Sequence, residues 1–302
     1  MNTNRTSLNF TGFLNLLVVY FVWGSTYLAI RVAVQNDGGF PPFVLGFSRV
    51  IAGGTLLLLW SILRGERIKP TRQEMVTLVI SGLLLWVGGN GLVNWAEQRV
   101  DSGLAALIIA ATPIWVAIVE ATIDRKLPSW RMVGALLIGF SGIAVLIAPT
   151  LQDGVSADIL SVIALLLAGL SWGSGSVFQT RKPVALTSVV NAGYQQLIGA
   201  LGFGIIILFL GETWTSPGLE AWLAWGYLVI FGSLFAFTAF IRALKLLPTK
   251  IVMTYAYVNP VIAVFLGWVI LGESVTIYNL GGALLVLIGV AGIFRERYGT
   301  NH

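Results

Sequence analysis

The chain has 302 residues, of which 57% are hydrophobic and only 10% charged, with a mean hydropathy of +0.87. Soluble domains carry roughly 25% charged residues, so this composition excludes an ordinary water-facing surface and points to lipid. There is no cysteine, and the single histidine is His302, beyond the last apolar stretch. Disulfides, thiolate metal sites, cysteine nucleophiles, histidine triads and histidine-ligated metals inside the fold are thereby excluded.

A helix that crosses the hydrocarbon needs about 20 apolar residues. Ten such stretches follow in order, at 13–34, 43–63, 74–96, 103–122, 130–149, 157–178, 188–210, 221–243, 250–271 and 276–294. They are too long and too uniformly apolar for barrel strands of about 10 alternating residues. In lipid each must therefore be a helix, which pairs its own backbone groups. The stretch after the polar segment Met1–Thr11 lacks a small-residue cleavage site and is expected to be a first span, not a cleaved signal. Turn residues mark the short links, as in Gly38-Gly39-Phe40-Pro41-Pro42 and Thr215-Ser216-Pro217-Gly218.

The net charge of +5 does not imply nucleic acid, because the basic residues are dispersed in short loops. They report topology instead. With the N-terminus in the cytoplasm, fifteen of the eighteen Lys and Arg residues fall on the cytoplasmic side. These are Arg5, Arg64, Arg67, Lys69, Arg72, Arg125, Lys126, Arg131, Arg181, Lys182, Arg242, Lys245, Lys250, Arg295 and Arg297. Both termini are expected there. Arg31 and Arg99 lie toward the outer side, and Arg49 lies inside span 2.

The two halves echo each other. Trp23-Gly24-Ser25 matches Trp172-Gly173-Ser174, and Leu78-Val79-Ile80-Ser81-Gly82 matches Leu228-Val229-Ile230-Phe231-Gly232. Thr112-Pro113 matches Asn259-Pro260, and Gly134-Ala135-Leu136-Leu137 matches Gly282-Ala283-Leu284-Leu285. The expected fold class is an all-α membrane protein of ten transmembrane helices in two repeats, 13–149 and 157–294. Five spans per repeat is an odd number, so the second repeat enters the membrane inverted. That is a transporter architecture, in which two halves exchange inward-open and outward-open shapes around one site.

Several ordered motifs carry a family resemblance. They are Trp23-Gly24-Ser25-Thr26-Tyr27 with Arg31, Arg49, Gly88-Gly89-Asn90-Gly91, Ala96-Glu97, Ser102-Gly103-Leu104-Ala105-Ala106, Tyr255-Ala256-Tyr257-Val258-Asn259-Pro260, and Leu271-Gly272-Glu273 followed by Gly281-Gly282-Ala283-Leu284. Through them the chain resembles the drug/metabolite transporter superfamily in its EamA-type ten-span form, the YedA-like branch most of all. The resemblance implies two EamA repeats, cytoplasmic termini, a central cavity, a bacterial inner-membrane location, and export or exchange of small organic solutes. One departure is that Asp124-Arg125-Lys126 follows span 4 where the second half has Gly272-Glu273. The chain also lacks the buried first-helix acid of short multidrug exporters.

Polar residues inside a span are costly and mark candidate sites. Arg49 stands about six residues into span 2, roughly 9 Å deep at ~1.5 Å per residue. It reads either as a clamp for a substrate carboxylate or as a member of an internal ion pair or a snorkelling side chain. Asn90, Asn94 and Glu97 share one face of span 3, which either lines a cavity or bonds a neighbouring helix. Glu97 is a candidate partner for Arg49 or Arg31. Among the aromatics, Trp23, Tyr27, Trp86, Trp172, Tyr194, Tyr255 and Tyr257 are candidate cavity walls, whereas Trp95, Trp214, Trp222 and Trp225 suit the membrane interface. Gln195, Gln196 and Asn259 add hydrogen-bonding groups. Glu120, at the inner end of span 4, reads as a proton site or a solvated carboxylate. Gly88-Gly89-Asn90-Gly91, Pro113 and Pro260 are candidate bends.

The expected substrate site is thus Trp23, Tyr27, Arg49, Asn90, Asn94, Glu97, Trp172, Tyr194, Gln195, Tyr255, Tyr257 and Asn259. It holds a small organic metabolite, such as an amino acid or related compound, for export by alternating access. No catalytic residue, metal, cofactor or nucleic-acid partner is expected, and fusion of the two halves makes a monomer sufficient. Alternatives are an exporter of amphipathic drugs, a sugar or nucleotide-linked carrier, and, from another class, a channel or lipid scramblase. A membrane enzyme is disfavoured by the missing Cys, internal His, acidic cluster and phosphate loop.

Overall fold

The computed structural model describes residues 9–34, 38–100, 102–152, 159–271 and 276–298. Arg5 and Gly272-Glu273 lie outside them. Among the described residues the regular structure is helical throughout. Eight helices are long and apolar enough to cross a membrane, and Trp130–Val145 is a shorter apolar one.

In chain order the helices are α1 (Phe10–Val34), α2 (Pro42–Leu63), α3 (Arg72–Ala96), α4 (Ser102–Ile109 and Thr112–Asp124), α5 (Trp130–Gln152), α6 (Ile159–Arg181), α7 (Ser188–Leu210), α8 (Leu219–Leu246), α9 (Tyr255–Leu271) and α10 (Ile277–Tyr298). The outward faces carry large apolar side chains such as Leu63, Leu208 and Phe209, each more than four-fifths exposed. Such faces are satisfied by lipid and not by water.

Four departures from uninterrupted α-helix matter. α3 is π-helical over Leu83–Gly91 and α8 over Leu228–Ala236. These wider turns fall in matching parts of the two halves, and π-segments concentrate at functional sites. α4 breaks at Ala110–Ala111, so Pro113 lies in the first turn of the second segment, where its missing N–H costs nothing. The apolar run at 250–271 breaks at Met253–Thr254 into a single turn (Thr249–Val252) and α9, with Pro260 inside the latter.

Helix packing follows the exchange of one half for the other. α2 packs on α7 and α5 on α10, while α1 packs on α8 as α6 does on α3, and α1 on α9 as α6 does on α4. Glycines permit the closest approaches, as membrane helices require. A β-carbon on Gly54 would lie 2.9 Å from the Gly193 carbonyl, and one on Gly289 would lie 2.5 Å from the Gly139 backbone. At its start α3 carries a capping box, unnoticed in the sequence. The Thr71 hydroxyl accepts from Glu74 N at 3.2 Å, and the Glu74 carboxylate accepts from Thr71 N at 2.7 Å.

Candidate functional site

The two copies of the Trp-Gly-Ser motif bring their indoles together at the centre of the bundle. The rings of Trp23 (α1) and Trp172 (α6) lie 5.3 Å apart at 80°. Tyr255 packs edge-on against Trp23 at 4.9 Å, and Phe240 lies within 5.5 Å of both indoles. Above this layer opens a cavity of about 60 Å3 whose walls include Thr26, Tyr27, Ile30, Arg49, Trp86, Asn90, Trp172, Tyr255 and Asn259. Both halves of the chain therefore contribute.

Arg49 is 3% exposed and reaches into that cavity. Its Nε donates to Ser233 Oγ at 2.8 Å, and Nη1 donates to Asn90 Oδ1 at 3.4 Å. The guanidinium carbon stands 5.2 Å from the centre of the Trp86 ring, a cation–π distance. The π-segment of α8 places Gly232 beside Nη2, and the Gly232 carbonyl accepts from Trp23 Nε1 at 3.3 Å. Among the described residues no carboxylate forms an ion pair with Arg49. The indole N–H groups of Trp86 and Trp172 are buried without a hydrogen-bond partner. Three wall residues thus present donors, and none of the described walls is acidic.

Of the residues anticipated from sequence, the cavity gathers Trp23, Tyr27, Arg49, Asn90, Trp172, Tyr255 and Asn259. The other five lie elsewhere. Asn94 is buried and donates to the Pro42 carbonyl at 3.2 Å, tying α3 to the start of α2. Glu97 is fully buried beside α1, where Arg31 donates to its main-chain carbonyl. Tyr194 packs against the small cluster of Leu78, Val184, Leu186 and Val190. Gln195 sits in a buried amide network, donating to Ser81 Oγ at 3.0 Å, to Asn191 Oδ1 at 2.8 Å and to Gln179 Oε1. Tyr257 donates its hydroxyl to the Leu136 carbonyl at 2.9 Å. The walls Ile30, Gly89, Val93, Ile109, Ala168 and Gly169 carry no polar signal by which sequence reasoning could have found them.

A second, polar cavity of about 470 Å3 lies at the basic end of the bundle, lined by Glu120, Asp124, Thr180, Arg181, Thr249 and Lys250 among others. Across it Arg181 pairs with Asp124 at 2.6 Å and Lys250 with Glu120 at 3.1 Å. Glu120 is therefore an ion-pair member. Each pair joins the first half of the chain to the second.

Comparison with known proteins bears on this arrangement. Residues 10–148 and 159–295 each match the model of the EamA-like transporter family. The uncharacterized inner membrane transporter YedA of Escherichia coli (strain K12) is 34% identical over 263 residues, covering 86% of this chain and 83% of its own. An S-adenosylmethionine/S-adenosylhomocysteine transporter of Chlamydia trachomatis serovar L2 is 24% identical over 290 residues, covering 92% and 87%. One solved crystal structure superposes with a TM-score of 0.75 at 19% identity, covering 96% of this chain and 99% of that one. This last likeness concerns the fold alone.

Proposed function

The chain belongs to the EamA-like transporter family, and from that premise we propose that it exports small organic metabolites, amino acids or related compounds, by alternating access through the central cavity. It is a membrane transporter and not an enzyme, as its family and named relatives are. We place it in a bacterial inner membrane as a monomer of ten spans, in two inverted repeats at 13–149 and 157–294, with both termini cytoplasmic. The basic-residue bias and the exchange symmetry of helix packing support that topology.

The observation that carries the proposal is the cavity roofed over the Trp23–Trp172 contact. It is assembled from both repeats and lined by aromatic faces with a few convergent polar groups, the composition expected of a site for an amphipathic solute. At about 60 Å3 it holds a few waters and falls short of the roughly 300–1,000 Å3 of ligand pockets. In this reading the halves part to admit the substrate. The substrate residues in this reading are Trp23, Tyr27, Arg49, Asn90, Trp172, Tyr255 and Asn259, with Arg49 as the clamp for a carboxylate. Asn94, Glu97, Tyr194, Gln195 and Tyr257 stand behind the walls and hold the helices in place.

A thermal-shift screen of purified protein against metabolites, followed by flux in reconstituted vesicles, tests this. A ligand that binds only the folded protein raises its apparent stability. Stabilisation by carboxylate-bearing metabolites that disappears in Arg49→Ala, with the variant still folded, supports the reading. Ion conduction or lipid scrambling without solute flux overturns it in favour of a channel or scramblase.

A further inference from the structure

A guanidinium keeps its proton at physiological pH, so the charge on Arg49 is permanent. Ser233 and Asn90 offer dipoles and Trp86 a π face, but none of them offers a negative charge. Glu97 stands seven residues beyond Asn90, about 10 Å along the helix, next to Tyr27 and Arg31 of α1. Arg31 stands outside the cavity walls. The described cavity walls thus carry one cation and no counter-charge, in a space with room for only a few waters.

Alternating access carries the site through a state sealed from both faces. An ion without a counter-charge passes through such a state at high cost, because neutral dipoles replace only part of the water it sheds. A bound carboxylate removes that cost, since a bidentate Arg–carboxylate pair is neutral overall and geometrically matched. We infer that Arg49 makes reorientation conditional on a bound anion: the cavity turns over readily when it holds one carboxylate, and slowly when empty. This rests on the transporter reading above and deepens it. The ligand class is a monocarboxylate or amino-acid zwitterion with an apolar body for the aromatic floor. Cations lacking a carboxylate are rejected by the Arg49 charge. Each outward passage of solute is then matched by a carboxylate carried back, so that net export follows the gradient of the returning anion.

The test needs no knowledge of the substrate. The chain has no cysteine, so Thr122→Cys with Lys182→Cys places two spin labels at exposed sites, one on α4 and one just past the end of α6. Inter-label distances and exchange rates are then measured on the empty protein in lipid nanodiscs. The wild type should show one dominant distance with slow exchange. Arg49→Gln should show two distances and exchange at least ~10-fold faster, whereas Arg49→Lys should resemble the wild type. Ser233→Asp, which puts a carboxylate beside Nε, should release the empty protein as Arg49→Gln does, and Ser233→Asn should not. Free exchange of the empty wild type overturns the inference whatever the variants do. So does restraint that persists unchanged in folded Arg49→Gln or in Ser233→Asp. Failure of the transporter reading would appear instead as absent solute flux in vesicles, with the empty-state distances untouched.

Discussion

Arg49 and Gly232 meet so closely that a β-carbon on the glycine would stand 2.8 Å from Nη2. The contact joins the first repeat to the second. It depends on the π-segment of α8, which sets Gly232 and Ser233 side by side against one guanidinium. The Gly232 carbonyl holds the Trp23 indole as well. One backbone position therefore positions both the cation and the aromatic floor.

Gly232→Ala should expel the guanidinium from its seat. The clash is with the far end of a flexible side chain, so the arginine moves and the helix stays. Overpacking of this kind costs about 1–3 kcal/mol, and carboxylate affinity should fall about tenfold, or ~1.4 kcal/mol. In an Arg49→Gln background the shorter side chain leaves the space free. The stability cost of Gly232→Ala should then shrink by at least ~0.5 kcal/mol in a double-mutant cycle. Strict additivity in thermal unfolding would show that the two residues are not coupled.

The aromatic layer gives a second prediction. Trp172 touches Trp23, Phe237 and Phe240, and it lies between the central cavity and the polar cavity at the basic end. Trp172→Ala should cost about 3–5 kcal/mol, as large-to-small changes in packed cores do, and should allow solute to leak through vesicles in both directions. Trp172→Phe should retain most of the stability and no leak. A tight Trp172→Ala variant would place the barrier elsewhere.

Long apolar runs made the helices legible, because lipid leaves the backbone no other choice. The breaks were less so. No glycine or proline stands at Ala110–Ala111 or Met253–Thr254, and the π-segment of α8 is as apolar as the rest of its span, whereas in α3 the run Gly88-Gly89-Asn90-Gly91 marks a candidate bend and lies inside the π-segment. For the site, the cost of polar groups in lipid singled out Arg49 and Asn90, and the repeat singled out Trp23 and Trp172. The same signal also raised Asn94, Gln195 and Tyr257, whose partners are the Pro42 carbonyl, a set of amides and the Leu136 carbonyl. A sequence cannot tell a polar side chain that finds an internal partner from one that faces a cavity. Small wall residues such as Ala168 and Gly169 leave no trace in it at all.

Pro260 removes one backbone N–H from the second turn of α9, freeing the carbonyl one turn earlier, just where Tyr255 and Asn259 enter the cavity. Pro260→Ala restores that bond and stiffens the helix. Turnover in vesicles should drop while protein in membrane blots stays at the wild-type level. Equal loss of both would make the proline a folding requirement and not a bend used in transport.

The Arg181–Asp124 and Lys250–Glu120 pairs latch the repeats together at the basic end. Their side chains are partly exposed, so each pair is weak on its own and is screened by salt. Opening of that end should still depend on them, because both break together when the halves part. Asp124→Asn with Glu120→Gln should lengthen the distance between labels at Thr122→Cys and Lys182→Cys, and high salt should do the same to the wild type. Unchanged distances under both treatments would leave the pairs without a gating role.

Glu212 supplies the last prediction. It follows α7, outside the spans, and one carboxylate oxygen accepts from Phe43 N at 3.1 Å and Val44 N at 3.2 Å. α2 starts at Pro42 behind the N-cap residue Pro41 and has no side-chain cap of its own, so this distant carboxylate does the capping and ties the second repeat to the first. Partial burial pushes the Glu212 carboxyl above its usual range, and the two backbone N–H bonds only partly offset this. A carboxyl raised in the folded state binds its proton more tightly there than when unfolded. The stabilisation this gives is complete below the unfolded value and is lost as pH rises through the folded one. Wild-type stability measured relative to Glu212→Gln should therefore decline from acidic toward neutral pH, since the amide keeps an acceptor and has no proton to lose. Glu212→Ala, lacking the cap altogether, should fall below Glu212→Gln by about 1 kcal/mol at every pH. A rise of wild-type stability relative to Glu212→Gln over the same range would mean that the N–H bonds, and not burial, govern this carboxylate.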